Sequence, residues 1–518
     1  MTGPPVAGVG DQPYGAAMRL VGAAALARVS FAAVTAIAGL AATVVSVRLL
    51  GPADYGLLAF AIATGGTLSG VAKLGLGLAT TRMTAASAAV GDWDAVESTV
   101  RGSVTIVYAL SAAAALAITA VVVGRGSTAT AVSVPVAAGV SLLILGRNAS
   151  VAAAAISRAL GRVLLMDLPS LLISVLQVAA AVVLSVMAVR SLPLLATGFG
   201  VAGLVGTVVS LAIIRAIVRG KAPVIAASLR EGARLVVTGA PYAIASAAGY
   251  VMARFDVLVL GLSHPNAVVG QYEPVLRLTE RLTNLIPLIF MTAFLPAATR
   301  FFVSDDVASL NRSFHTSSHV TYVLSVPALL LLGAFPEPVI GTVFGPEVPA
   351  RPLIVALLLA GYVVNLACGL NLGVLTATGD RKLIGATYVG GLAAMVVFAL
   401  VLIPPFGAVG AATATAVSYV VLNVLVTWGL YTRYHTHVFT PRYVLTIVTS
   451  LLLLAAAIVL RHALEIEGFV GGAAMSAGLW LAWSAALRVT GILNWNEVRL
   501  LVPRIRRGGR DGNRKMAE

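Results

Sequence analysis

Fourteen stretches of this 518-residue chain are apolar and long enough to cross a lipid bilayer, which takes about 20 residues per helix. Because the hydrocarbon core holds no water, only helices or closed barrels satisfy the backbone there, and the alternating strands of a barrel do not occur in the sequence. With 11% charged residues, the chain could not cover a soluble surface. The pattern predicts an all-α polytopic membrane protein with spans near 21–47, 57–80, 102–124, 131–157, 164–189, 192–217, 236–262, 274–298, 319–344, 352–377, 383–404, 408–431, 443–462 and 468–489.

The distribution of basic residues over the loops predicts the orientation. With the N-terminus in the cytoplasm, the opposite loops carry only Arg48, Arg125, Arg190, Arg351 and Arg461. Most other loop arginines and lysines, including those of the segment 215–234 and of the tail 492–518, then face the cytoplasm. This bias places both termini in the cytoplasm of a multi-pass plasma-membrane protein. We expect the basic loops and tail to face anionic lipid, with a nucleic-acid arm as the alternative for the tail.

The remaining features restrict the chemistry. Residues 1–17 carry no basic n-region, so we expect a disordered N-terminus and a first span that is a retained signal-anchor. A single cysteine, Cys368, lies inside a span, and the six histidines do not form a metal-ligand pattern. Every loop is short and no phosphate-binding Walker loop occurs, so we expect no cofactor and no enzyme.

Three short signals recur in the same order along the chain, which indicates a duplication. Leu50-Gly51 with Tyr55-Gly56 corresponds to Leu260-Gly261 with Gly270-Gln271-Tyr272, and two further pairs link spans four and ten and spans six and twelve. Because each repeat holds an even number of spans, we expect two parallel six-helix lobes in a V shape, 18–218 and 236–432, with a cleft between them. A basic linker at 219–235, in which 224–237 could form a surface helix, joins the lobes, and two additional helices occupy 433–491.

Four segments of the chain carry motifs that can be compared with those of other proteins. The segments are Arg48-Leu49-Leu50-Gly51-Pro52-Ala53-Asp54-Tyr55-Gly56, then Asp256 with Leu260-Gly261, then Ala377-Thr378-Gly379, then Ile403-Pro404-Pro405-Phe406-Gly407-Ala408-Val409-Gly410. Over about residues 20–435 the chain resembles Wzx-type oligosaccharide flippases of the multidrug/oligosaccharidyl-lipid/polysaccharide exporter superfamily. Related lipid II flippases also have fourteen spans. The resemblance implies a transporter that flips a polyprenyl-diphosphate-linked oligosaccharide to the outer leaflet by alternating access.

Ionisable residues inside the spans are the candidate site, because a charge in lipid costs several kcal/mol unless it faces water or a partner. Arginine forks suit phosphate oxygens, so six cations are predicted to line the cleft and hold the diphosphate. These are Arg28, Lys73, Arg147, Arg254, Arg277 and Arg281. Asp256, Glu273 and Glu280 are candidates for pairing or for coupling to H⁺ or Na⁺. Internal salt bridges with snorkelling of the outer residues explain the same charges without cargo.

Three functions remain open from the sequence. A lipid-linked oligosaccharide flippase is favoured by the cationic residues of the predicted cleft. An ion-coupled multidrug antiporter of the same superfamily is the alternative, although exporters of cationic drugs prefer acidic sites. A membrane glycosyltransferase or polymerase is the third, and it would need an acidic residue in a large external loop.

Overall fold

The computed structural model describes residues 14–72, 76–125, 130–162, 165–218 and 228–492, which form helices and no strand. The N-terminal helices are α1 Tyr14–Ala72, α2 Leu76–Ala89, α3 Trp93–Arg125, α4 Thr130–Ala159, α5 Leu168–Val186 and α6 Leu192–Ile217. The middle helices are α7 Leu229–Met252, α8 Phe255–Ser263, α9 Asn266–Val303, α10 Val307–Ala334 and α11 Pro336–Phe344. The C-terminal helices are α12 Pro352–Ala367, α13 Asn371–Thr378, α14 Arg381–Tyr434, α15 Pro441–Ala463 and α16 Phe469–Val489.

Among the described residues, nine helices are long and apolar enough to cross a membrane, or eleven if each of two bent pairs is one span. Two of the nine are much longer than one crossing: α1 has 59 residues and α14 has 54, or about 90 and 80 Å against about 30 Å of hydrocarbon. A glycine with non-helical backbone interrupts each of them, Gly51 (φ 76°, ψ 171°) in α1 and Gly407 (φ 54°, ψ −127°) in α14. The prediction of an all-helical polytopic membrane protein is confirmed, and the count of fourteen spans stays a prediction.

Some predicted boundaries differ from the helices. The stretch 319–344 was expected to be one span, but α10 begins at Val307 and the chain starts a new helix at Pro336, whose missing N–H suits a first turn. The described part of the expected surface helix at 224–237 instead forms the first turns of α7. That end of α7 packs on α3, where the Ser98 hydroxyl donates to Glu231 at 2.6 Å.

Parts of the expected domain plan lie outside the described residues. These are residues 1–13 of the N-terminal segment, 219–227 of the linker and 493–518 of the tail. Helix α1 already includes 14–17. The V shape and the parallel arrangement of the two lobes stay predictions.

The buried apolar residues separate largely along the predicted repeat. One cluster runs from Met252 to Leu487 and also takes in five residues of α1, whereas two others lie within 57–199 and 96–218. Helix α1 therefore packs into the cores of both halves. We call residues 14–218 the N-half and 229–434 the C-half.

Small residues let α4 and α6 touch backbone to backbone in the N-half. A Cβ placed on Gly146 would lie 2.2 Å from the Gly203 carbonyl oxygen, and one on Gly139 would lie 2.1 Å from the Ala196 oxygen. Such close approach is common where membrane helices pack through small residues. It fixes the orientation of α4, and with it the position of Arg147.

Helices α15 and α16 are attached to the C-half by side-chain hydrogen bonds along α10. His319 bonds the Thr446 hydroxyl at 2.8 Å, Tyr322 bonds Ser450 at 2.8 Å, and the Trp480 indole donates to the Val323 carbonyl at 2.9 Å. At the far end, Arg461 pairs with Glu337 at 2.8 Å. Interhelical polar contacts of this kind hold helices together in lipid, where the hydrophobic effect does not.

Candidate functional site: a cationic cavity between the halves

A cavity of about 520 Å³ lies between the two halves. Small-molecule sites typically measure about 300–1,000 Å³. Its wall combines residues of α1, α4, α5 and α6 with residues of α7, α8 and α9. On α1 the lining extends from Thr35 to Ser46, about 16 Å along the axis, and beyond the glycine kink from Tyr55 to Ser69. Four arginines line it: Arg147, Arg254, Arg277 and Arg281.

A helix break positions the first of these arginines. Helix α7 ends at Met252 and α8 begins at Phe255, so Arg254 is the residue before α8, in the middle of the predicted seventh span. Its guanidinium donates to the Ala253 carbonyl at 3.1 Å and pairs with Glu280 of α9 at 3.4 Å. Both side chains are 22% exposed. This pair therefore retains contact with the cavity.

Helix α9 carries two more of the arginines. Arg277 pairs with Glu273 one turn earlier, as the four-residue spacing predicts. Glu273 is only 1% exposed, and its other carboxylate oxygen accepts a hydrogen bond from Tyr55 of the N-half at 2.5 Å. Arg281, one turn further, forms no salt bridge or hydrogen bond with any described residue.

Arg147 faces these groups from α4. Its guanidinium lies 3.5 Å from the amide oxygen of Gln177 on α5, and no carboxylate among the described residues pairs with it. Arg254, Arg277 and Arg281 line the same cavity. Arg147 and Arg281 thus line the cavity without a salt bridge to a described carboxylate, although the wall also includes Asp167.

The wall also contains hydroxyl and amide groups that the sequence reasoning missed. Ser170, Ser174 and Gln177 follow one another at helical spacing on α5, and Asn148 on α4 donates to Ser69 at 3.2 Å. Polar residues at positions i, i+4 and i+7 of an otherwise apolar span mark one helix face, so the signal was present in the sequence. This face can hydrogen-bond a polyhydroxylated ligand.

Asp256 lies apart from the cavity and does not pair with Arg254. It is 1% exposed and accepts hydrogen bonds from the hydroxyls of Tyr272 at 2.7 Å and Thr415 at 2.9 Å, and from the backbone N–H of Val257 at 2.8 Å. The expected neighbour pair with Arg254 is replaced by the pair between Arg254 and Glu280. The reason is that Arg254 precedes α8 while Asp256 is in its first turn, which directs the two side chains differently.

The other two candidate cations cannot be placed. The side chain of Arg28 and the whole of Lys73 lie outside the described residues. The described residues contain no group of three metal-ligating side chains.

A second polar cluster, also missed from the sequence, lies in the C-half beside the 51° bend between α12 and α13. Asn365 bonds Asn284 at 3.5 Å, Asn423 bonds Asn365 at 3.1 Å, and Asn371 bonds Asn423 at 3.1 Å. These side-chain amides form hydrogen bonds with one another across four helices. They hold the broken span against α9 and α14.

With the cavity described, known proteins can be compared. The model of a family described as "Polysaccharide biosynthesis protein" matches residues 22–302, more than half of the chain. The chain belongs to this polysaccharide biosynthesis family. The chain is therefore a membrane transporter of the exporter superfamily that the motifs indicated, and the match confirms the resemblance.

The chain is also similar to individual known proteins. Residues of the chain are 26% identical over 183 positions to the "Probable low-salt glycan biosynthesis flippase Agl15" of Haloferax volcanii, an alignment that covers 35% of this chain and 38% of that protein. The alignment thus spans well under half of the relative. The fold is similar to "Lipid II flippase MurJ, inward closed conformation" (TM-score 0.70, 14% identity, 88% of this chain and 98% of that one). It is also similar to an inward-facing multidrug resistance MATE family transporter (TM-score 0.58, 14% identity, 79% and 98%).

Proposed function

We propose that this polysaccharide-biosynthesis family member flips a polyprenyl-diphosphate-linked oligosaccharide from the cytoplasmic to the outer leaflet by alternating access. The observation that carries the proposal is the pair Arg147 and Arg281, two guanidinium groups in one cavity that form no salt bridge with a described carboxylate. Both arginines are partly buried, and a diphosphate bound between them would supply each with an anionic partner.

The remaining wall suits the rest of such a cargo. Arg277 and Arg254 lie across the same cavity, already neutralised by Glu273 and Glu280. Both guanidinium groups can turn towards the phosphate oxygens of the cargo. The hydroxyl and amide face formed by Ser170, Ser174 and Gln177 offers the hydrogen bonds that sugar hydroxyls need.

In this proposal Asp256 is the residue that binds the coupling ion. Its carboxyl contacts hydroxyl groups and a backbone N–H and has no salt bridge among the described residues, so a proton or Na⁺ can become its counter-charge. Glu273 and Glu280 are less suited to binding a coupling ion, because each already forms a salt bridge with an arginine. Asp256→Asn is expected to keep cargo binding and to remove the dependence of transport on the gradient.

The test uses purified protein. Binding of geranylgeranyl diphosphate is compared with binding of geranylgeraniol, and transport of a fluorescent polyprenyl-diphosphate disaccharide is measured in proteoliposomes by dithionite quenching. Arg147→Gln or Arg281→Gln should weaken diphosphate binding by about 10- to 100-fold, the loss of one charge-assisted hydrogen bond. Arg312→Gln, an exposed arginine of α10, removes the same charge away from the cavity and serves as the control.

The MATE-like fold supports one alternative, an ion-coupled multidrug antiporter. The same proteoliposomes distinguish it. Accumulation of ethidium against a proton gradient, together with diphosphate binding that Arg147→Gln and Arg281→Gln leave unchanged, would favour the antiporter. The cationic wall makes a lipophilic cation the less suitable cargo.

A further inference from the structure

Near the kink of α1 at Gly51, where Tyr55 and Glu273 line the cavity, α1 contacts the C-half. We call residues 48–56 together with 266–277 the junction. Arg48 donates to the Val343 carbonyl at 2.9 Å and to Thr342 at the end of α11. By the loop charges, the junction is the predicted external end.

Two glycines allow the halves to meet there backbone to backbone. A Cβ on Gly56 would lie 1.8 Å from the Asn266 carbonyl oxygen, and a Cβ on Gly270 would lie 1.8 Å from the Pro52 oxygen. These distances exclude any side chain at either position while the halves are together. Gly56 and Gly270 come from the two copies of the repeated motif, so the repeat supplies one glycine to each side of the closure.

One turn further into the cavity, a buried hydrogen bond crosses between the halves. Tyr55, 5% exposed, donates to Glu273, 1% exposed, at 2.5 Å. The other oxygen of Glu273 accepts from Arg277, and Arg277 lines the cavity. A single carboxylate therefore joins the closure of the junction to a residue of the proposed cargo site.

We propose that Tyr55 and Glu273 are positioning residues that link cargo binding to the opening of the junction, an inference that rests on the proposed function. An anionic diphosphate at Arg277 competes with Glu273 for the guanidinium. Glu273 then stands as a buried carboxylate with only Tyr55 as partner, an arrangement that costs several kcal/mol. The Glu273 carboxylate reaches water if the halves separate at the junction. Bound cargo therefore destabilises the form in which the junction is closed.

The second copy of the motif provides a matched comparison. Tyr272 occupies the repeat position equivalent to Tyr55, and its hydroxyl also donates to a buried carboxylate, that of Asp256 at 2.7 Å. Both Tyr272 and Asp256 belong to the C-half, so this bond does not cross the junction. Removing the same hydroxyl from Tyr272 should leave the closure intact.

Opening of the junction can be measured between two spin labels. Cys368 is the chain's one cysteine, so Cys368→Ala gives a clean background. Ala53→Cys and Ser263→Cys then place labels at exposed positions on either side of the predicted external end. Distance distributions are recorded in liposomes with geranylgeranyl diphosphate, and with geranylgeraniol as the lipid that lacks the diphosphate.

For the parent protein we expect one short distance, with a longer one appearing only with the diphosphate. Tyr55→Phe should raise the ratio of the long to the short population about 10- to 100-fold without the diphosphate, as for the loss of a hydrogen bond to a charged group. Glu273→Gln should also open the junction and reduce the further response. Gly56→Ala should give the long distance in both lipids, and Tyr272→Phe in geranylgeraniol should match the parent.

Three results would overturn the inference. They are a short distance in Gly56→Ala, a Tyr55→Phe distribution equal to that of the parent, and equal opening in Tyr272→Phe and Tyr55→Phe. Diphosphate binding is measured separately on the same samples. If the parent binds the diphosphate but the labels do not separate, this inference alone fails, whereas absence of binding refutes the proposed function.

Discussion

Removing Arg277 should cost far more stability than removing Arg281, although the two residues lie one turn apart on α9 and line the same cavity. Arg277→Ala leaves Glu273, 1% exposed, without its cationic partner. Breaking a buried ion pair from one side costs about 3–5 kcal/mol. Arg281→Ala orphans no carboxylate and removes a charge that forms no salt bridge, so we expect the free energy of unfolding to change by about 1 kcal/mol or less, in either direction.

A double-mutant cycle separates the ion pair from the other contacts of each residue. Glu273→Gln in the Arg277→Ala background replaces the orphaned carboxylate by an amide and should recover about 2 kcal/mol or more of the loss. The free energy of unfolding is measured by steric trapping in bicelles, with Arg312→Gln as the exposed control. Equal effects of Arg277→Ala and Arg281→Ala, or no recovery on adding Glu273→Gln, would refute the assignment of Glu273 as a buried, charged partner.

Three further predictions concern transport, topology and pH. Arg254→Ala should abolish flipping of the fluorescent lipid at normal protein abundance, and Arg254→Lys should retain more activity because the charge survives without the fork; full activity of the alanine variant would contradict this. A reporter that is active only in the cytoplasm should be active when fused after Glu518. Activity of a reporter that works only outside the cell would reverse the proposed orientation. Burial of Asp380 raises its pKa, but the hydrogen bonds from the Leu383 N–H and from Arg433 outweigh it and hold the pKa below its usual range. A carboxyl whose pKa is depressed in the folded protein stabilises it at pH values above the unfolded pKa of about 4, and this contribution is lost as the pH falls through the folded pKa. Asp380→Asn should therefore lower the thermal unfolding temperature at pH 7 and change it little near pH 2.

The apolar periods of the sequence were enough to predict the helices but not their interruptions. Ala253-Arg254 ends α7 without a proline or glycine, so nothing local marks the break that places Arg254 in the cavity. The start of α10 was missed because its first turns are polar, with Asn311, Arg312 and His315. Apolar content detects the part of a helix that faces lipid or core, and not its extension into water.

For the site, too, the sequence predicts contacts between residues close together in the chain but not those between distant residues. Glu273 and Arg277 pair because helical spacing puts residues four apart on one face, and this was predictable. The bonds from Arg254 to Glu280 and from Tyr55 to Glu273 join residues 26 and 218 positions apart. Such pairs depend on how helices pack, which a single sequence does not specify.

The hydrogen bonds from α15 and α16 to α10 have a mechanical consequence. These two helices bond along α10 and, through Arg461, to α11, so a displacement of the C-half carries them with it. The C-half thereby carries two additional helices, whose exposed apolar residues include Val459, Val470 and Leu481. Moving a wider body through a viscous bilayer meets more drag, so during a transport cycle the narrower N-half would swing further, and the C-half would act as the stationary frame.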